Sequence, residues 1–266
     1  MRRDCRVEPG KPAELAKRST DAKFDLVKQD AEVELVKLTE RLAVLQNRLY
    51  AEHSRALLLV LQGLDASGKD GTIRRVFTGV NPQGCQVESF KEPSQFELDH
   101  DYLWRIHVAL PRRGRIGIFN RSHYEDVTTT QVIGVIDDRE RKRRYGQIND
   151  FERMLHEEGT RIVKVFLHVG KEEQRERLQR RVDDPERRWK FRKDDLHTRA
   201  KWDRYVRLYD AAITATSTEW APWYIVPADH KWVSGLAVAR FLLDELEDMA
   251  PQIPEPAEDL DGVVVE

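Results

Sequence analysis

Hydrophobic positions change their spacing several times along the chain. Leu35, Leu38, Leu42, Leu45 and Leu49 recur at intervals of three and four, which lines one face of a helix and predicts a mostly helical stretch over 12–53. The run Ala56-Leu57-Leu58-Leu59-Val60-Leu61 is instead continuously apolar, the pattern of a central parallel strand covered on both faces. Shorter apolar or β-branched runs follow at Val87–Phe90, Ile116–Phe119, Ile162–Val169 and Trp223–Val226. Helical patterns occupy about 72–78, 95–109, 138–158, 171–182, 195–215 and 232–249. Strands alternating with helices predict an α/β fold, a three-layer sandwich with a mostly parallel central sheet. The division expected is a helical extension over 1–53, a main domain over 54–250, and a Pro-containing acidic tail over 251–266.

Composition narrows the function classes. A net charge of −2 gives no global attraction to nucleic acid or to a membrane surface, and no DNA- or RNA-binding motif is present. Arg and Lys nevertheless cluster at 112–121, 139–144 and 175–193, local basic surfaces suited to a polyanionic ligand. Cys5 and Cys85 are too few for a disulfide framework or a cysteine zinc site, and no HExxH motif accompanies His100, His107 or His123. His123 and four of the six tryptophans, Trp189, Trp202, Trp220 and Trp223, read as packing residues. The start lacks an apolar targeting core and no window approaches the length of a membrane span, so a cytoplasmic location is expected.

Three constellations carry chemistry. Gly63-x4-Gly68-Lys69 follows the apolar strand directly and precedes a helix. Such a loop turns backbone N–H groups inward around a phosphate, here from Gly63, Ala66, Ser67 and Gly68, and Lys69 adds a mobile positive charge. The usual Ser or Thr after the lysine is replaced by Asp70, and Asp65 lies inside the loop. Acids beside phosphates imply a metal, a lysine or an acceptor group. The second constellation, Gly117 to Asp126, ends a strand at the sheet edge where ligands bind. Arg121 is a phosphate clamp there, and Asp126 or Glu125 supplies the carboxylate for a metal, because Asn120 stands where a metal-binding Asp is usual. In the third, Arg177 and Arg181 share one helix face, and Lys190 extends a basic stretch that reads as a lid over about 171–200.

Together with Phe90-Lys91-Glu92-Pro93-Ser94, Trp189-Lys190-Phe191, Thr214 to Trp223 and Pro227 to Lys231, these blocks resemble the polyphosphate kinase 2 family over roughly residues 20–245. The pattern is most similar to the subgroup acting on nucleoside mono- and diphosphates. The resemblance implies a P-loop kinase-like sandwich with a helical lid, assembled as a dimer or tetramer. It implies reversible phosphoryl transfer between inorganic polyphosphate and AMP, ADP or a related nucleotide, with Mg²⁺ or Mn²⁺ as cofactor. Phosphate-loop roles carry over to Asp65, Gly68 and Lys69, the strand-end arginine to Arg121, and the lid arginines to Arg177 and Arg181. The metal is expected on Asp65 and Asp126, and phosphate contacts also on Asp70, Lys91 and Lys190. The rivals are an ATP-dependent nucleotide kinase, which shares loop and lid, and a nucleotide-binding regulatory module without turnover.

Overall fold

A computed structural model describes residues 1–261 and 263–265, so two positions of the expected tail, Gly262 and Glu266, lie outside the described residues. Six strands form one sheet: β1 (Arg6–Val7), β2 (Ala56–Gln62), β3 (Cys85–Ser89), β4 (Ile116–Asn120), β5 (Thr160–His168) and β6 (Trp223–Pro227). Their spatial order is β1-β6-β5-β2-β4-β3, with every neighbouring pair parallel except β1–β6. The apolar run of β2 is buried at every position, as its central place requires. Val60 of β2 is level with Phe119 of β4 on one side and with Lys164 of β5 on the other, so the carboxyl ends of the three strands lie together. Chain order reverses about β2, which makes its carboxyl end the crevice where an open α/β sheet takes ligands.

The longer helices are α1 (Lys28–Glu52), α2 (Lys69–Val76), α3 (Asp138–Glu157), α4 (Lys171–Asp183), α5 (Trp202–Thr216) and α6 (Lys231–Met249). Leu42, Leu45 and Leu49 bury one face of α1 in the core, with Leu35 and Leu38 partly covered. Residues 12–27 form no α-helix, contrary to expectation, but only a 3-10 turn at Leu15–Lys17. Pro12 interrupts the backbone, and side chains of α5 take the local amides instead: Ala13 N–H donates to Thr214 Oγ1 at 2.9 Å and Leu15 N–H to Asp210 Oδ1 at 2.6 Å. The expected helix over 95–109 divides into Gln95–Leu98 and Trp104–Val108. Among the described residues no helix is long and apolar enough to cross a membrane.

Candidate active site

The loop between β2 and α2 is shaped by three left-handed backbones, Gly63 (φ 148°), Ala66 (φ 61°) and Gly68 (φ 107°). A Cβ on Gly63 would lie 2.7 Å from Ser67 Oγ and 2.8 Å from Leu167 O, so glycine is required both by angle and by space. Gly68 is the N-cap of α2, and no side chain caps that helix, which leaves first-turn N–H groups for an anion. Ser67 Oγ and Thr72 Oγ1 are buried without a hydrogen-bond partner, a further sign of a loop built for polar guests.

Lys69 is buried and folded back on the loop, donating from Nζ to Gly63 O at 2.6 Å and more weakly to Leu64 O at 3.4 Å. Burial, aided by the neighbouring Arg121 guanidinium, pulls its pKa down to about 8 against the attraction of Asp65, Glu125 and Asp70. Arg121 itself follows β4 in a left-handed conformation (φ 65°), an uncommon backbone for a residue with a side chain. Its N–H donates to Leu61 O at 3.0 Å, and its guanidinium meets Asp65 Oδ1 at 2.6 Å. Glu125, then Asp65, raises the guanidinium's hold on its proton against the effect of burial. Lys69, Arg121, Asp65 and Glu125 therefore form one interacting group at the ends of β2 and β4.

Asp70 is tied to the same edge. Asn120 Nδ2 donates to its Oδ1 at 2.7 Å, and Lys190 Nζ lies 3.5 Å from its Oδ2. Burial acts to raise its carboxyl, but Asn120 and Lys190 outweigh that and hold it below the usual range. Asn120 thus orients a carboxylate where the sequence pattern leads one to look for a metal ligand.

Glu125 and Asp126 part company because they are consecutive in a 3-10 turn (His123–Asp126), where neighbours point in different directions. Glu125 Oε1 accepts from Tyr209 Oη at 3.3 Å and Oε2 from Thr129 Oγ1 at 2.5 Å. With its amide turned to satisfy both ends, Gln62 donates to Glu125 Oε1 and accepts from Ser122 N–H, each at 3.0 Å. Asp126, expected beside Asp65, is instead buried against Arg105 (3.3 Å), and its carbonyl accepts from Arg144. Burial raises the Asp126 carboxyl above its usual range despite Arg105. It is engaged in holding the turn, and Glu125 takes its place beside Arg121.

The two arginines predicted on one face of α4 have different surroundings. Arg177 is buried, and every donor of its guanidinium is used. Nε pairs with Glu173 Oε1 (2.7 Å), one terminal nitrogen donates to Ala66 O and Ser67 O (3.0 and 2.9 Å), and the other to Ala228 O and Asp229 O (2.6 and 2.9 Å). It supports the phosphate loop from outside instead of closing over it. Arg181 sits 3.6 Å from Asp195, whose carboxyl is raised by burial and by Asp65, so this pair borders the site. Lys91 is exposed at the end of β3, lining a separate cavity of about 380 Å³ with Phe90, Trp104 and Arg105. Trp202 and Trp223 are buried as expected, whereas Trp189 is largely exposed, with Lys190 Nζ 5.0 Å from its ring centre.

Among the described residues no group of three His, Cys, Asp or Glu side chains is placed to hold a metal ion. Asp65 and Glu125 fit the other arrangement, in which one or two carboxylates share a hard cation with the phosphates of a substrate.

Residues 25–254 match the family model described as polyphosphate kinase 2. The chain is 49% identical over 263 residues to the AMP/ADP-polyphosphate phosphotransferase of Meiothermus ruber, covering 98% of each. It is 47% identical over 228 residues to the ADP-polyphosphate phosphotransferase of Rhodopseudomonas palustris, covering 81% of this chain and 79% of that one. A crystal structure of polyphosphate kinase 2 from Arthrobacter aurescens superimposes with a TM-score of 0.93 at 42% identity, covering 97% of this chain and 93% of the other.

Proposed function

The chain belongs to the polyphosphate kinase 2 family, and on that premise we propose that it moves a phosphoryl group reversibly between inorganic polyphosphate and AMP or ADP. The observation that carries this reading is the convergence of Lys69, Arg121, Asp65 and Glu125 at the carboxyl ends of β2 and β4. A phosphate oxygen of the nucleotide attacks the terminal phosphorus of the chain. A new P–O bond forms as the bridging P–O bond breaks, and its electron pair leaves with the shortened polyphosphate. Such a transfer needs alignment and charge neutralisation more than covalent help.

Lys69 exchanges its loop carbonyls for phosphate oxygens, and the anion restores the proton affinity that burial removes. Arg121 clamps the transferring group from the strand end. Asp65 and Glu125 would hold a divalent cation, Mg²⁺ or Mn²⁺, which when bound would offset the charge of the phosphates. Ser67 Oγ, Thr72 Oγ1 and the free amides of the loop offer donors to the chain of phosphates, and Arg181 and Lys190 close from a lid over 171–200. Arg177 keeps the loop in shape. Residues 54–250 carry the transferase machinery, and residues 1–53, expected as a separate extension, add an edge strand and one face of α1 to the same core. The exposed Val33, Val36 and Val44 on α1 support assembly into a dimer or tetramer.

The test is phosphorylation of AMP and ADP with long-chain polyphosphate as sole donor. Product is expected without ATP. Product with ATP alone would overturn the reading in favour of an ordinary nucleotide kinase.

A further inference from the structure

Four buried polar side chains lie behind the site and take no part in the chemistry described above. Lys164 projects from β5, level with Trp223 of β6, and is fully buried. All three of its protons are engaged: Glu152 Oε2 at 2.5 Å, Tyr124 Oη at 2.9 Å and Thr216 O at 2.6 Å. Glu152, from α3, also accepts from Tyr124 Oη at 2.9 Å and meets His123 Nε2 at 3.2 Å. Tyr124 Oη thus accepts from the lysine and donates to the glutamate, which closes a ring of three groups. His123 and Tyr124 are consecutive and stand between Arg121 and Glu125.

We infer that the Lys164–Glu152 pair is a positioning device for the turn that carries Arg121 and Glu125, an inference that rests on the functional reading above. Stability alone gives little reason for such a pair. Two charges withdrawn from water lose hydration that their attraction barely returns, and apolar residues of similar volume often serve as well or better. What apolar residues cannot do is fix a direction. Glu152 grips two successive side chains of the turn at set distances and angles, and Lys164 anchors the grip to β5 and to Thr216. The turn needs holding. Arg121 has a left-handed backbone, and Ser122, which follows it, accepts from Tyr124 N–H at 3.3 Å. A slip at Tyr124 therefore moves Arg121 on one side and Glu125 on the other. Lys164 and Glu152 touch no reacting atom; they act through the turn.

The decisive variant is the double substitution Lys164→Met with Glu152→Leu, compared with each single change. Each single variant leaves a buried charge unmatched and should lower both Tm and kcat. The double variant is expected to regain most of the Tm lost in the single variants, falling short of wild type because Tyr124 Oη, His123 Nε2 and Thr216 O lose their partners, while kcat stays down by about tenfold to a hundredfold, the cost of a misplaced reacting geometry. Its KM for polyphosphate should stay within about twofold of wild type, because the phosphate loop is unchanged. Recovery of kcat together with Tm would overturn the inference. Should the double variant not fold, Tyr124→Phe decides. It is expected to keep a near-native Tm while kcat falls about tenfold and amides 121–127 exchange hydrogen faster without substrate. Wild-type kcat or wild-type exchange there overturns the inference. If the wild-type protein transfers nothing from polyphosphate, the functional reading fails, and the exchange of Tyr124→Phe alone judges the positioning claim.

Discussion

Replacing Lys69 with Met should make the protein more stable and nearly inactive. Burial, with Arg121 nearby, takes the Lys69 pKa from 10.5 to about 8. At about 1.4 kcal/mol per unit, keeping the ammonium charged in the folded state at neutral pH costs about 3 kcal/mol. Met removes that cost but also the donor to Gly63 O and Leu64 O, a loss of about 1 kcal/mol. The net gain is about 2 kcal/mol at about pH 7, or roughly 4–8 °C in Tm for a domain of this size.

The sign with pH follows from proton binding. Between about pH 8 and pH 10.5 the folded lysine is neutral while the unfolded one still holds its proton. The unfolded state then binds more protons, so wild-type stability rises with pH relative to the variant, and the variant's advantage shrinks to nothing or reverses. Activity should fall by about 10²–10³ because the transferring group loses a cation. Urea denaturation of both proteins at about pH 7 and about pH 10.5, beside initial rates, measures all of this. A Met variant less stable at pH 7, or an advantage that does not change with pH, would refute the reasoning.

Other expected outcomes follow from the same geometry. Gly63→Ala places a methyl against Leu167 O and Ser67 Oγ at a left-handed backbone, and should cost at least about 2 kcal/mol in urea denaturation along with most of the activity. Arg177→Lys, conservative in charge, cannot reach four carbonyls with three donors; a loss of about 2–4 kcal/mol is expected, and a Tm within a degree of wild type would show that the loop does not need the fork. Glu125→Gln should raise the half-saturating Mg²⁺ concentration about tenfold or more, whereas Asp126→Asn should chiefly lower Tm. Equal metal requirements in the two variants would undo the distinction drawn between these neighbours.

Much of the framework is legible in the chain because burial on both faces leaves a plain mark. The runs that form β2, β4, β5 and β6 are apolar almost without interruption, and each is a strand. The glycine loop is equally plain, since few other folds place Gly-x4-Gly-Lys after such a run. Less visible are features settled by partners distant in sequence. Residues 12–27 have the composition of a helix, yet the amides of Ala13 and Leu15 are taken by Thr214 and Asp210, about two hundred positions away. Glu125 and Asp126 are chemically alike, and only the turn decides which one faces Arg121. Arg177 and Arg181 have the same spacing signal as any surface pair. Nothing in that signal shows that one guanidinium binds carbonyls underneath the loop while the other stays at its border. The two-residue strand β1 leaves no pattern at all; it exists because β6 offers an edge.

Arg177 also acts on the loop as an electrical source. In a planar trans peptide the N–H points opposite to its C=O. With Ser67 O drawn onto the guanidinium at 2.9 Å, the Gly68 N–H is aimed the other way and polarised by a full charge behind it. On the proposed reading, a cation outside the phosphate path sharpens a hydrogen-bond donor within it without filling space that the polyphosphate needs. The same charge placed inside the cradle would grip the polymer; placed behind the backbone, it lends attraction while leaving the track clear.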